Sequence, residues 1–166
     1  MVSATVAVGG ALLLLTAAVE HMLYFTRLRA VLIAQRVVPY RLHRTLAVGL
    51  VGVEFGVGSG ACVTVLALPF VRQTVFFAEA GVYGLFLGYL TFLRFGRGPV
   101  PCGCFGDGPV RAQVLVRAGV FAVAAAATAV LATEPLVTLS SIPLMGAALV
   151  VAVAARVLPG MSSRRI

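Results

Sequence analysis

The chain alternates between long apolar runs and short segments that collect arginine, glycine and proline. Each apolar run has about 20 residues, the length that an α-helix needs to cross the hydrocarbon core of a bilayer. The runs lie at about 3–25, 46–70, 74–94, 113–132 and 136–157. The pattern predicts an all-α fold, a polytopic transmembrane helical bundle with a four-helix core and a fifth span after it.

The segment between the first two runs has a pattern of its own. Val31, Leu32 and Ile33 stand among five arginines there, which predicts a short amphipathic helix at the membrane interface that ends before Pro39. For the whole chain we expect one transmembrane domain over residues 1–132, followed over 133–166 by an additional transmembrane helix and a short basic tail.

Composition supports a membrane protein. The 166 residues are 61% hydrophobic and 11% charged, whereas soluble domains have about 25% charged residues. The net charge of +8 does not indicate a nucleic-acid partner, because the arginines lie in the short gaps between apolar runs. We therefore expect membrane lipid around the chain and no nucleic acid.

The distribution of arginine predicts the orientation in the cell membrane. The first gap has five arginines, the second one, the third three and the fourth none, and the tail ends with Arg164 and Arg165. Because cytoplasmic loops are enriched in basic residues, the N-terminus is predicted outside, and the C-terminus and the third gap are predicted in the cytoplasm.

Ionisable groups within or near a span are rare and usually functional. Four of those in this chain, Glu20, His21, Glu54 and Arg117, are candidates for one site. Since successive spans alternate in direction, all four fall in the same half of the bundle. Glu54 is about 12 Å deep at 1.5 Å per residue, so it should be protonated, paired, or facing an internal polar cavity. Arg117 is the predicted partner, Glu20 is the alternative, and a purely structural polar contact is equally open.

The third gap contains the most unusual stretch of the chain, two cysteines one glycine apart. Cys102 and Cys104 stand among glycines and prolines whose density rules out a regular helix. Such a pair can close a strained, exchangeable disulfide, can supply two of the four ligands of a zinc site, or can be structural. Thiol exchange is favoured and no metal is expected. Cys62, inside the second span, is interpreted as a small apolar group.

These features resemble the MauE family, methylamine-utilisation membrane proteins of the broader DoxX-like group. The resemblance rests on Glu54 in a Val-Glu-Phe-Gly context, on Cys-Gly-Cys-Phe-Gly at 102–106, and on Arg117. It covers about residues 5–132. It implies a DoxX-like bundle that helps to process, transport or mature the small subunit of methylamine dehydrogenase, with Cys102, Cys104, Glu54 and Arg117 as site residues. The family pattern has a Ser-Lys pair near the place of Glu20 and His21, so no role of that lysine carries over.

The sequence therefore predicts a membrane accessory protein that matures a partner by thiol–disulfide exchange at Cys102 and Cys104, supported by Glu54, Arg117, Glu20 and His21. The partner would be a dehydrogenase subunit or a thioredoxin-like protein. No cofactor motif is present, and a quinone is left open as electron acceptor. Two alternatives remain at this stage, a transporter or binding bundle for a small solute or lipid and a structural subunit of a membrane oxidoreductase complex.

Overall fold

A computed structural model describes residues 2–66, 71–97, 101, 110–131 and 150. The helices are α1 (Val2–Leu23), α2 (Phe25–Gln35), α3 (His43–Leu66), α4 (Arg72–Gly96) and α5 (Ala112–Leu131), and a 3-10 turn at Tyr40–Leu42 precedes α3. The helices α1, α3, α4 and α5 are long and apolar enough to cross a membrane. The predicted all-α membrane bundle is confirmed over this part of the chain. The predicted fifth span lies outside the described residues, except for Val150.

The four long helices form a ring. Helix α1 packs against α3 and α5, and α4 packs against the same two helices. Thus α1 and α4 lie diagonally across the bundle, as do α3 and α5. Successive spans run in opposite directions, so the end of α1, the start of α3, the end of α4 and the start of α5 meet at one membrane face. We call this face the loop end, because residues 98–109 follow α4 there.

Helix α2 is the predicted short helix between the first two spans. Leu28, Val31 and Gln35 are its buried residues, spaced by three and four positions as one face of a helix requires. The helix ends at Arg36, which has a left-handed backbone (φ 50°) and donates its N–H to the carbonyl of Ile33. It packs mainly on α3 and α1, at the loop end.

One of the buried clusters between the spans is made largely of small residues. Lipid tails are as apolar as leucine, so association depends on close packing rather than on a hydrophobic driving force. This cluster contains Ala7, Ala11, Ala61, Ala125 and Ala129 around Phe76. These alanines allow the helix backbones of α1, α3 and α5 to approach one another closely.

Gly58 allows a close approach of α3 to α1. A Cβ atom at this position would lie 2.9 Å from the carbonyl oxygen of Ala11 and 2.9 Å from Cγ of Leu15. Gly52 and Gly56, whose spacing resembles a helix-pairing motif, face open space instead, since no described atom lies within 4 Å of a Cβ built there. The contact of α1 with α3 therefore depends on Gly58 and not on the Gly52–Gly56 pair.

Gly58→Ala is expected to destabilise the bundle by about 1–3 kcal/mol, because the added methyl group collides with the backbone of α1. Gly56→Ala is the matched control on the same helix, and it should be neutral or slightly stabilising because alanine favours a helix by roughly 0.5–1 kcal/mol over glycine. The measurement is unfolding in mixed detergent micelles. Equal stability of the two variants would show that the packing of α1 on α3 is different from that described.

Candidate functional site

A buried hydrogen bond joins the end of α1 to the middle of α3. His21 Nδ1 lies 2.8 Å from Glu54 Oε2, and the two side chains are 6% and 1% exposed. Glu54 is eleven residues beyond His43, the first residue of α3, or about 16 Å along the helix axis at 1.5 Å per residue. A hydrogen bond between these two atoms needs one proton, carried by the imidazole or by the carboxyl group. The pair is therefore a proton-holding site inside the bundle.

A small cavity lies beside this pair. Its volume is about 20 Å³, and its polar lining residues are Glu54, Arg117 and Tyr83. A cavity of this size can hold about one water molecule when several polar groups surround it. Most of its lining is apolar and comes from α1, α4 and α5, including Leu90, Val114 and Phe86. The cavity is thus a small, mostly apolar space bordered by a few polar groups, and it is too small for a solute.

The structure places the predicted polar residues in the same half of the bundle but pairs them differently. The sequence predicted Arg117, or else Glu20, as the partner of Glu54, whereas the ion-pair contact of Glu54 is with His21. Arg117 lines the same small cavity as Glu54. Glu20 is half-buried at the end of α1, next to His21. His21, Glu54 and Arg117 therefore converge on one region.

A second buried carboxyl group, that of Glu79, lies in the N-terminal half of α4. It is 0% exposed, and neither of its carboxyl oxygens has a hydrogen-bond partner among the described residues. Gly10 leaves room for it, since a Cβ there would lie 2.7 Å from Glu79 Oε1. Tyr83, one turn further along α4, donates its hydroxyl proton to the carbonyl of Gly10 at 2.8 Å. Glu79 is thus buried against α1, away from His21.

Gln35, at the last turn of α2, holds the residue that precedes the cysteine pair. Its Nε2 donates to the carbonyl of Pro101 at 2.9 Å, and its Oε1 accepts a hydrogen bond from the hydroxyl of Tyr89 at 2.6 Å. Gln35 is 2% exposed. This chain of two hydrogen bonds connects α2, α4 and Pro101, and we call it the Gln35 latch.

The other border of the cysteine loop is held by apolar packing. Val110 is 8% exposed and clusters with Leu90, Leu93 and Val114. Leu90 and Val114 also line the small cavity of Glu54 and Arg117. One layer of apolar side chains therefore connects Val110 to the small cavity, and Pro101 and Val110 both lie at the loop end.

Cys102 and Cys104 lie outside the described residues. Cys62, the third cysteine, is a free thiol, half-buried on α3, and it packs against the alanine-rich cluster around Phe76, as expected of a small apolar group. Within the described segments, no group of three or more His, Cys, Asp or Glu side chains is placed to hold a metal ion.

Two features of this region were not predicted as functional. Gln35 lies on the same face of α2 as Leu28 and Val31, the other buried residues of this helix. This spacing could have shown that the polar side chain of Gln35 points inward. Tyr89 has no comparable signal in the sequence. Its contact with Gln35 joins residues 54 positions apart, and sequence spacing does not predict contacts of this kind.

The fold and site define the class of this molecule, a multi-pass helical membrane protein with a buried polar pair at one end of the bundle. The family model described as "Methylamine utilisation protein MauE" matches residues 1–133. The chain belongs to this family, so the resemblance carried by the Glu54 and Cys102–Gly106 motifs is confirmed. Comparisons with curated proteins and with solved structures give no significant match.

A double-mutant cycle on His21→Ala and Glu54→Gln is expected to give a coupling energy of about 0.5–3 kcal/mol, because the two side chains share a buried hydrogen bond. Glu79→Gln combined with His21→Ala is the control. Gly10, which contacts Glu79, is eleven residues from His21, or about 16 Å along α1, so this pair should be additive. Stability in detergent is the measurement. Additive effects of His21→Ala and Glu54→Gln would contradict the pairing.

Proposed function

We propose that the protein is a membrane accessory factor that matures a disulfide-containing partner of the methylamine dehydrogenase type. In this proposal Cys102 and Cys104 carry out thiol–disulfide exchange with the partner. Membership of the MauE family supports a membrane role in methylamine utilisation. The Cys-Gly-Cys sequence supports the chemistry, because the small ring formed by such a pair is strained and readily exchanged.

The Gln35 latch is the observation on which the proposal mainly rests. A buried glutamine and a tyrosine together hold the carbonyl of Pro101, the residue bonded directly to Cys102. A segment that merely joins two spans does not require a buried polar anchor, which costs conformational freedom and desolvation. Anchoring at this position supports a loop whose cysteines must be presented in a defined place.

The proposed disulfide exchange has two steps. A thiolate of the partner attacks one sulfur of the Cys102–Cys104 disulfide and forms a mixed disulfide, releasing the other cysteine as a thiolate. The partner's second thiolate then attacks the mixed disulfide. The partner gains one disulfide, and Cys102 and Cys104 become two thiols that carry the partner's two protons and two electrons.

The polar cluster would support this chemistry in two ways. His21 and Glu54 share a proton inside the bundle, and such a pair can accept or return a proton while thiols and thiolates interchange. Arg117 lines the adjacent cavity, and a guanidinium near a thiol favours the reactive thiolate. Glu20, beside His21, would complete the cluster. These four residues are proposed as supporting groups, and Cys102 and Cys104 as the reacting ones.

A solute transporter that binds its ligand between Glu54 and Arg117 was the main alternative from sequence. The cavity between these residues has a volume of about 20 Å³, while pockets for small molecules usually have several hundred. The geometry therefore favours a proton-holding role for this cluster over ligand binding. A structural subunit would need neither the shared proton nor the anchored loop.

Cys102→Ser and Cys104→Ser are each expected to abolish disulfide formation in the partner, because both sulfurs take part in the exchange. Cys62→Ser is the control. Cys62 lies in the C-terminal half of α3, away from the loop end, so this substitution should leave maturation unchanged. The measurement is the thiol state of the partner, trapped with an alkylating reagent in cells that express each variant. Normal disulfide formation in either loop variant would disprove the exchange mechanism.

We further propose, from the arginine distribution, that the N-terminus lies outside and that the C-terminus and the cysteine loop face the cytoplasm. Stable disulfides are more typical of the outside, so the side on which exchange takes place needs a direct test. A membrane-impermeant thiol reagent should label Cys102 and Cys104 only after the cells are lysed. Labelling of intact cells would reverse the orientation and leave the exchange mechanism standing.

A further inference from the structure

An apolar groove lies between α2, α3 and α4 and begins at the loop end. Its volume is about 620 Å³, within the range of sites that hold small molecules, roughly 300–1,000 Å³. Val53 of α3 and Leu85 of α4 line it, and these side chains are 48% and 78% exposed. Because both belong to membrane-spanning helices, the groove opens toward lipid.

The groove follows the two spans through most of the depth of one bilayer leaflet. Its lining on α3 extends from Thr45 to Val53, and its lining on α4 extends from Tyr89 back to Val82. At 1.5 Å per residue these stretches are about 12 Å and about 10 Å long, and one leaflet contributes about 15 Å to the hydrocarbon core. Thr45 and Tyr89 lie nearest the membrane face. The groove therefore runs in the direction of a lipid acyl chain.

The interior of the groove suits hydrocarbon. Two of its polar lining residues, Gln35 and Tyr89, are engaged with each other and with the carbonyl of Pro101, so they offer an occupant mainly carbon surface. The third, Thr45, lies at the mouth, on the first turn of α3. Among the described residues that line the groove there is no acidic or basic side chain. An acyl chain needs no hydrogen-bond partner and fits such a space.

The mouth of the groove is bordered by basic residues. Arg36 stands between two lining residues, Gln35 and Val37. Arg41 directly precedes another, Leu42. Both arginines are exposed. Consecutive Cα atoms are about 3.8 Å apart, and an arginine keeps its carbon stem on apolar surface while its charged head reaches the polar boundary. The two guanidinium groups are thus in reach of an anion at the mouth.

We propose that this groove binds an anionic phospholipid, with an acyl chain between α3 and α4 and the phosphate at Arg36 and Arg41. A guanidinium group presents a planar set of N–H donors that matches phosphate oxygens. The apolar interior accepts any acyl chain, and the two arginines make the site selective for a negatively charged headgroup. This lipid site does not depend on the chemistry of Cys102 and Cys104.

The headgroup is tested with the full chain in phosphatidylcholine nanodiscs that contain a small fraction of a photoreactive lipid. The probe is either phosphatidylglycerol or phosphatidylcholine, with the same photoreactive acyl chain, and labelled residues are mapped by mass spectrometry. Phosphatidylglycerol should label the groove about tenfold or more strongly, since each arginine near an anionic surface contributes a factor of roughly five. The Arg36→Gln, Arg41→Gln double variant should lose this preference.

The matched control removes two other arginines from the same membrane face. Arg94 and Arg111 are exposed, and neither adjoins a lining residue of the groove. The Arg94→Gln, Arg111→Gln double variant should therefore keep the preference for phosphatidylglycerol. An equal loss of preference in the two double variants would show only a general attraction of the basic face for anionic lipid, and it would overturn the proposed site.

Two glycines of α3 test the position of the acyl chain. Gly49 lines the groove, and no described atom lies within 4 Å of a Cβ built on it, so Gly49→Leu fills the groove without displacing a neighbouring helix. Gly56 is equally open but is not a lining residue, and Gly56→Leu is the control. Gly49→Leu is expected to weaken labelling by about tenfold or more, a loss that corresponds to about 1.4 kcal/mol. Equal labelling of the two variants would contradict a chain in the groove.

The same labelling distinguishes other occupants of the groove. A second copy of the chain, or another segment of it, would cover the lining residues and leave them unlabelled by either lipid. A neutral lipid would label them equally well with the phosphatidylcholine probe. Either result would overturn the proposal, whereas labelling that requires both the anionic headgroup and an unfilled groove supports it.

Discussion

The hydrogen bond between His21 and Glu54 is the interaction on which the arrangement of the bundle depends most directly. Glu54 lies near the middle of a span, where bulk water does not solvate a carboxyl group, and leaving such a group unpaired costs several kcal/mol. Its partner must therefore come from a neighbouring helix, and His21 supplies it at 2.8 Å. This requirement fixes the rotation of α1 against α3, which the close contact at Gly58 then allows.

The same bond shows how far the sequence could predict the site. The sequence predicts the depth of a residue in its span, because helix length and direction follow from hydropathy, and it correctly placed His21, Glu54 and Arg117 in one half of the bundle. It does not predict which helices are neighbours. Helix α3 packs directly on α1 and lies diagonally opposite α5 in the ring. His21 is therefore on an adjacent helix, whereas Arg117 has to reach Glu54 across the bundle interior.

The sequence also predicts poorly which glycines, and which polar residues of short helices, face a neighbouring helix. Gly52, Gly56 and Gly58 are close in sequence, yet only Gly58 of these three meets another helix closely within the described part of the chain. The reason is that Gly58 lies on the side of α3 that faces α1. An almost uniformly apolar helix offers little periodicity from which that side could be identified. Gln35 differs, because Leu28 and Val31 mark the buried face of α2. Its inward position could have been predicted from this spacing, although its contact with Pro101 could not.

Phe86 lies between two spaces of the bundle, one beside polar groups and one apolar. It lines both the small cavity of Glu54 and Arg117 and the large groove beside Gln35 and Tyr89. One aromatic side chain therefore contacts a pocket the size of a water molecule and a groove open to lipid. Because Phe86 borders both spaces, it forms part of the wall between Glu54 and Arg117 on one side and the apolar groove on the other.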